Sequence, residues 1–111
     1  MKPNDIQHEL QHQKTFFSGS GNYILYINTV CYSITIWKIS KALQDGKSKL
    51  GNNDIQHLSS LQSKPDKFKE TDTGIWIGPF NKFEALGFAF HLKQKAYKEE
   101  SKTFSIDFSK M

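Results

Sequence analysis

His8-Glu9-Leu10-Gln11-His12 has the residue types and spacing of a helical zinc-hydrolase motif. Two histidines one turn apart can grip Zn²⁺ while the glutamate between them acts as general base on a bound water. A working site also needs a third ligand and a strand to seat the substrate. His57 and His91 are the remaining histidines, and neither stands at a recognised spacing. The motif therefore reads as the polar face of a short N-terminal helix. No metal, no other cofactor and no catalytic residue is expected, and a zinc metallopeptidase using His8, Glu9 and His12 is the minor alternative.

Other reactive types are sparser. Cys31 stands beside Ser33 in a strand pattern without a neighbouring His or Asp, which describes an idle thiol better than a nucleophile. Gly19 and Gly21 lack the Lys and following helix of a phosphate loop. His91 falls on the polar side of a long helix with Glu84, Gln94, Lys95 and Lys98, and is expected to face solvent.

The strongest binding pattern is aromatic and cationic. If strand alternation holds, Trp37 and Trp76 point away from the helix-covered face of a sheet, accompanied by Ser33, Thr35 and Ser105. Lys38, Lys41, Lys47 and Lys49 follow Trp37 directly. Exposed tryptophans beside cations are how proteins stack bases or anchor another protein. The competing expectation is a second layer, such as a helix over 53–62, that buries both rings.

Several elements must position these residues. Residues 3–14 read as a helix, and Ser18 to Asn22 as a flexible loop. Tyr23 to Ile27 and Val30 to Trp37 read as strands joined at Asn28-Thr29, the second with Val30, Tyr32, Ile34 and Ile36 on one face. Residues 38–50 are ambiguous, with a short helix ending near Asp45-Gly46. Gly51-Asn52-Asn53 opens a helix with Ile55, Leu58 and Leu61 on one stripe, and residues 63–74 read as a charged, solvated loop. An alternating strand from Ile75 runs into a Gly78-Pro79-Phe80 corner. Asn81 then caps a helix over 82–98 whose buried face centres on Phe88 and Leu92. Phe104, Ile106 and Phe108 mark a last half-buried strand. One echo crosses the chain: Asn4-Asp5-Ile6-Gln7-His8 recurs as Asn53-Asp54-Ile55-Gln56-His57, two similar helix starts rather than a solenoid.

Composition bounds the rest. At 111 residues, 37% hydrophobic and 14% aromatic, the chain supports one domain, with residues 1–22 a helix and loop and 23–111 an α+β core. No stretch approaches a spanning helix, no signal-peptide pattern opens the sequence, and the single cysteine excludes an internal disulfide framework, so the cytoplasm is the expected location. The net charge is +4, yet every one of the 15 basic residues is Lys. Lys is a point charge, without the planar fork with which Arg reads guanine or phosphate. The Lys, Asn, Ile and Phe bias suits a phage or AT-rich bacterial source.

The Ile77-Gly78-Pro79-Phe80 unit, followed by Ala85, Ala89 and Ala96, resembles two families. In the three-stranded DNA-binding folds of APETALA-type factors and integrase arm-binding domains, a strand ends in a similar corner and an Ala-rich helix backs the sheet. In the sporulation-related repeat domain, which binds peptidoglycan, a Val-Gly-Pro-Phe corner precedes a helix. Both resemblances imply an antiparallel sheet with a helix across it. The expected fold is α+β, a mostly antiparallel sheet of about four strands with two or three helices packed mainly on one face. The expected function is a small basic, non-catalytic binding protein that engages nucleic acid or a nucleoprotein complex through Trp37, Trp76, Lys38, Lys41, Lys47 and Lys49. A protein–protein adaptor or inhibitor without nucleic-acid binding is the alternative.

Overall fold

Branched aliphatic residues alternate through the middle of the chain and decide the architecture. The computed structural model describes residues 1–12, 21–61 and 67–111. In it β1 (Tyr23–Asn28), β2 (Ser33–Lys38) and β4 (Ile75–Phe80) form the antiparallel centre of a sheet. The short β3 (Phe68–Glu70) pairs antiparallel with β4 at one edge, and β5 (Ser105–Asp107) pairs parallel with β2 at the other. The order is β3-β4-β1-β2-β5. Register puts Leu25 opposite Ile36 and Ile77, and Ile27 opposite Ile34 and Ile75, so these six side chains share a face. Ile24 opposite Trp37 and Tyr26 opposite Trp76 share the other.

Both faces are covered. On the aliphatic face α1 (Pro3–His12) contributes Ile6 and Leu10, and α4 (Lys82–Glu100) contributes Ala85, Phe88, Ala89, Leu92 and Ala96. Phe88 and Leu92 are buried as the periodicity predicts, and burying such a side chain is worth roughly 1.5–3 kcal/mol. On the tryptophan face α2 (Ile39–Asp45) contributes Ala42, while Leu58 of α3 (Asn52–Ser60) and Leu61 just beyond it complete a smaller core. A 3-10 turn over Gly46–Ser48 follows α2.

Among the described residues the fold is thus α+β, with a five-stranded mixed sheet and four helices where about four strands and two or three helices are expected, and three further expectations change. The helices divide between the two faces, because α2 and α3 carry their own apolar stripes and the sheet offers a second apolar surface. The region read as a loop over 63–74 contains β3, which is too short to show a period. Its Lys69 and Glu70 are exposed, the charged character that blunts a sheet edge. The second strand begins at Ser33 rather than Val30, because Asn28 Oδ1 accepts from the N–H groups of Val30 (2.9 Å) and Cys31 (3.0 Å) and closes a turn there. The expected loop at 18–20, helical residues 13 and 14, and residues 62–66 lie outside the described residues.

The Gly-Pro-Phe unit is the end of β4 itself. Gly78 sits at φ 144°, and the register against β1 shifts between Tyr23 and Leu25. A Cβ at Gly78 would stand 3.1 Å from the Tyr23 carbonyl oxygen, so Gly fits both the angle and the space. Asn81 then caps α4 as expected. Its Oδ1 accepts from Glu84 N–H (2.9 Å), and its own N–H donates to Glu84 Oε1 (3.0 Å), a reciprocal capping box. None of the described helices is long and apolar enough to cross a membrane.

Candidate functional site

The helical His-Glu-x-x-His motif is present as a helix, but its glutamate has another task. Glu9 is buried in the seam between α1 and α4, where Oε2 lies 2.7 Å from His91 Nε2 and Oε1 accepts from Lys95 Nζ at 2.9 Å. Lys95 also reaches Glu99 Oε1 at 2.8 Å. Burial alone would raise the pKa of Glu9, but the hydrogen bonds and charges of His91 and Lys95 together outweigh it and hold the carboxyl below 4.5. The same carboxylates hold the Lys95 ammonium charged well above its ordinary range. His91, expected to face solvent, is half-buried, because Glu9 of α1 reaches it and Lys95 on α4. His8 and His12 stay exposed with Nε2 atoms 2.8 Å apart. Among the described residues no group of three or more His, Cys, Asp or Glu could hold a metal ion. The arrangement ties two helices together.

The tryptophan surface does not exist as an exposed platform. Trp76 is 0% exposed and Trp37 is 5% exposed, both beneath α2 and α3. Trp76 Nε1 donates to Asp54 Oδ1 at 2.7 Å, and Tyr26 packs on the Trp76 ring at a centroid distance of 4.3 Å. Asp54, only 2% exposed, also accepts from Thr71 Oγ1 (2.8 Å) and Thr73 Oγ1 (3.0 Å). One carboxylate thereby pins α3 to β4 and to the β3–β4 turn. Trp37 Nε1 is buried with no hydrogen-bond partner among the described residues, and Lys110 Nζ lies 5.5 Å from the ring centre. Ser33 and Thr35 are half-buried and Ser105 is exposed. Lys38, Lys41 and Lys49 are exposed as expected, but no tryptophan joins them at the surface. The Lys47 side chain lies outside what the structure describes. Cys31 is exposed in the β1–β2 turn with Sγ 3.2 Å from Ser33 Oγ.

The surface that does stand open was missed by sequence reasoning. Phe83, Phe90 and Tyr97 lie on the outer side of α4, opposite its buried stripe, and are 84%, 48% and 65% exposed. Their seven-residue spacing, about two helical turns or 10 Å, places them on one line along the helix. Phe108, 47% exposed, lies 6.2 Å from the Phe90 ring at the same surface. An open groove of about 740 Å³ runs beside them, lined by Gly87, Phe90, His91, Gln94, Tyr97 and Lys98 among others. The signal was legible: aromatics at i, i+7 and i+14 form a second stripe on a helix whose first stripe already accounts for the core. Compared with protein-family models, with curated proteins and with solved structures, the chain matches none.

Proposed function

We propose that this chain is a small non-catalytic protein-binding module, an adaptor or inhibitor, that docks its partner on the outer face of α4. The observation that supports the reading is the line of three exposed aromatics on a helix whose opposite face is buried in the core. Large aromatic side chains are the commonest anchors of protein interfaces, and monomeric surfaces rarely leave such a stripe uncovered. A helix presenting anchors every seven residues matches the repeat of another helix laid alongside it.

Nucleic-acid binding is the second reading, favoured by the net charge of +4 and by the exposed Lys38, Lys41 and Lys49. The buried Trp37 and Trp76 remove the stacking surface first expected for it. The α4 aromatics recur every 10 Å or so, against about 3.4 Å between successive bases of a stacked strand. Selection from a displayed library of random helical peptides, run in parallel on the wild-type chain and on Phe90→Glu, tests the reading. Binders that lose at least tenfold affinity for Phe90→Glu are expected, with no comparable effect of that variant on oligonucleotide affinity. Oligonucleotide binding at low salt that depends on Phe90, with no Phe90-dependent peptide, would transfer the face to nucleic acid.

A further inference from the structure

We infer that the occupant of the α4 face is an acidic amphipathic helix that sets a bulky apolar side chain over Gly87; this rests on the protein-docking reading above. The first ground is charge. The carboxylates along α4 are already engaged within the chain: Glu84 in the capping box, Glu99 by Lys95, and Glu100 by the N-terminal ammonium and the Tyr32 hydroxyl. Apart from Lys95, which pairs with Glu9 and Glu99, the cations are not. Among the described residues no carboxylate forms an ion pair with Lys82, Lys93, Lys98 or Lys102, which flank the aromatic line or continue it past the helix end. The face thus offers apolar anchors between unspent positive charges, complementary to a helix with an apolar stripe flanked by Asp and Glu. A second copy fits badly. Antiparallel pairing centred on Phe90 sets Lys82 against Lys98, and parallel pairing sets every lysine against itself.

The second ground is Gly87. It is exposed in the second turn of α4, inside the helix, where glycine weakens it, and a Cβ there would meet nothing within 4 Å among the described residues. Packing within these residues does not require glycine at this position. On the helix surface it neighbours Phe83, Phe90 and His91, and it lines the open groove. A missing side chain between two aromatic knobs leaves a hole for a knob from a facing helix.

The Phe90-dependent peptides from the helical library are the probe. Sequenced as a set, they should be enriched in Asp and Glu beside an apolar stripe. A representative peptide should lose at least tenfold affinity when its acids are changed to Gln, and binding should weaken as salt rises. Gly87→Gln should weaken it at least tenfold while the far-UV circular dichroism and the unfolding midpoint stay unchanged or rise. Lys93→Glu with Lys98→Glu should reverse the preference toward Lys-rich peptides. Phe90-dependent binders that are neutral or basic, or that tolerate Gly87→Gln, overturn the inference while the docking face stands. The absence of any Phe90-dependent binder overturns both.

Discussion

The same five residues occur twice in this chain and point opposite ways. In α1, Ile6 of Asn4-Asp5-Ile6-Gln7-His8 is fully buried, while Asp5 and His8 are exposed. In α3, Asp54 and His57 of Asn53-Asp54-Ile55-Gln56-His57 are buried, and Ile55 is only half-buried. The pentapeptide does not choose its own orientation. The leucine beyond it does: Leu10 lies one turn past Ile6, whereas Leu58 lies one turn past Asp54. Each leucine turns its own line of the helix inward. The buried aspartate is tolerated because Trp76, Thr71 and Thr73 bring three donors to it. Helix rotation is set by the leucine beyond the repeat and by what the facing surface needs, an aliphatic side chain against α1 and a hydrogen-bond acceptor against α3.

The largest expected effects test that rotation directly. Asp54→Ala strips the acceptor from a buried indole and two hydroxyls. At roughly 1–3 kcal/mol for each orphaned buried donor, and with the hydroxyls able to re-aim, the loss should be about 3–5 kcal/mol. Chemical denaturation measures it, and a loss under about 1 kcal/mol would mean that Asp54 does not organise the tryptophan face. The two isoleucines give the companion measurement. Ile6→Ala should cost about 2–5 kcal/mol as a large-to-small core change, whereas Ile55→Ala should cost about 1 kcal/mol or less. Equal losses would remove the difference in rotation.

Much of the fold was legible, and the reasons differ by element. The 82–98 helix, its Asn81 cap and its Phe88–Leu92 face were readable because capping chemistry and an apolar period agree there. The first two strands were readable from alternation. β3 was not, since three residues carry no period. The tryptophans were misplaced for an instructive reason. Alternation correctly puts Trp37 and Ile36 on opposite faces, but it cannot say whether the second face meets water or another layer. That is decided by the layer above it: Ala42 of α2 follows Trp37 by five residues, but Leu58 of α3 and Leu61 just beyond it come from a segment distant in sequence from both tryptophans. The α4 aromatics failed for another reason: one amphipathic stripe had already explained the helix.

Glu9 gives a smaller effect with a defined pH window. Its folded pKa lies below 4.5, so its contribution is fully present above the unfolded carboxylate value and is lost as pH falls through the folded one. The wild-type unfolding midpoint should therefore decline as pH drops below about 4.5, partly through this group. Glu9→Gln should lower the midpoint near neutrality and flatten that part of the acid limb, because the glutamine cannot gain a proton. An acid limb as steep in Glu9→Gln as in the wild type would assign the pH dependence to other carboxylates.

The smallest effect belongs to Asp5, the counterpart of Asp54 in the pentapeptide. Its Oδ2 accepts from Lys2 N–H at 2.9 Å at the exposed start of α1, a capping contact of the kind worth no more than about 1 kcal/mol. The same charge is favoured by the helix dipole at an N-terminus and is screened by salt. Against both, Asp5 stands near enough to Glu100 to oppose that carboxylate's charge, which the N-terminal ammonium and Tyr32 otherwise stabilise. Removing Asp5 loses a cap and relieves a repulsion, so Asp5→Ala should change stability by much less than Asp54→Ala, and the change should shrink further in high salt. A loss matching that of Asp54→Ala would place Asp5 in a buried contact and rotate α1 away from Ile6. With it would go the claim that identical residues are steered by the leucine one turn ahead.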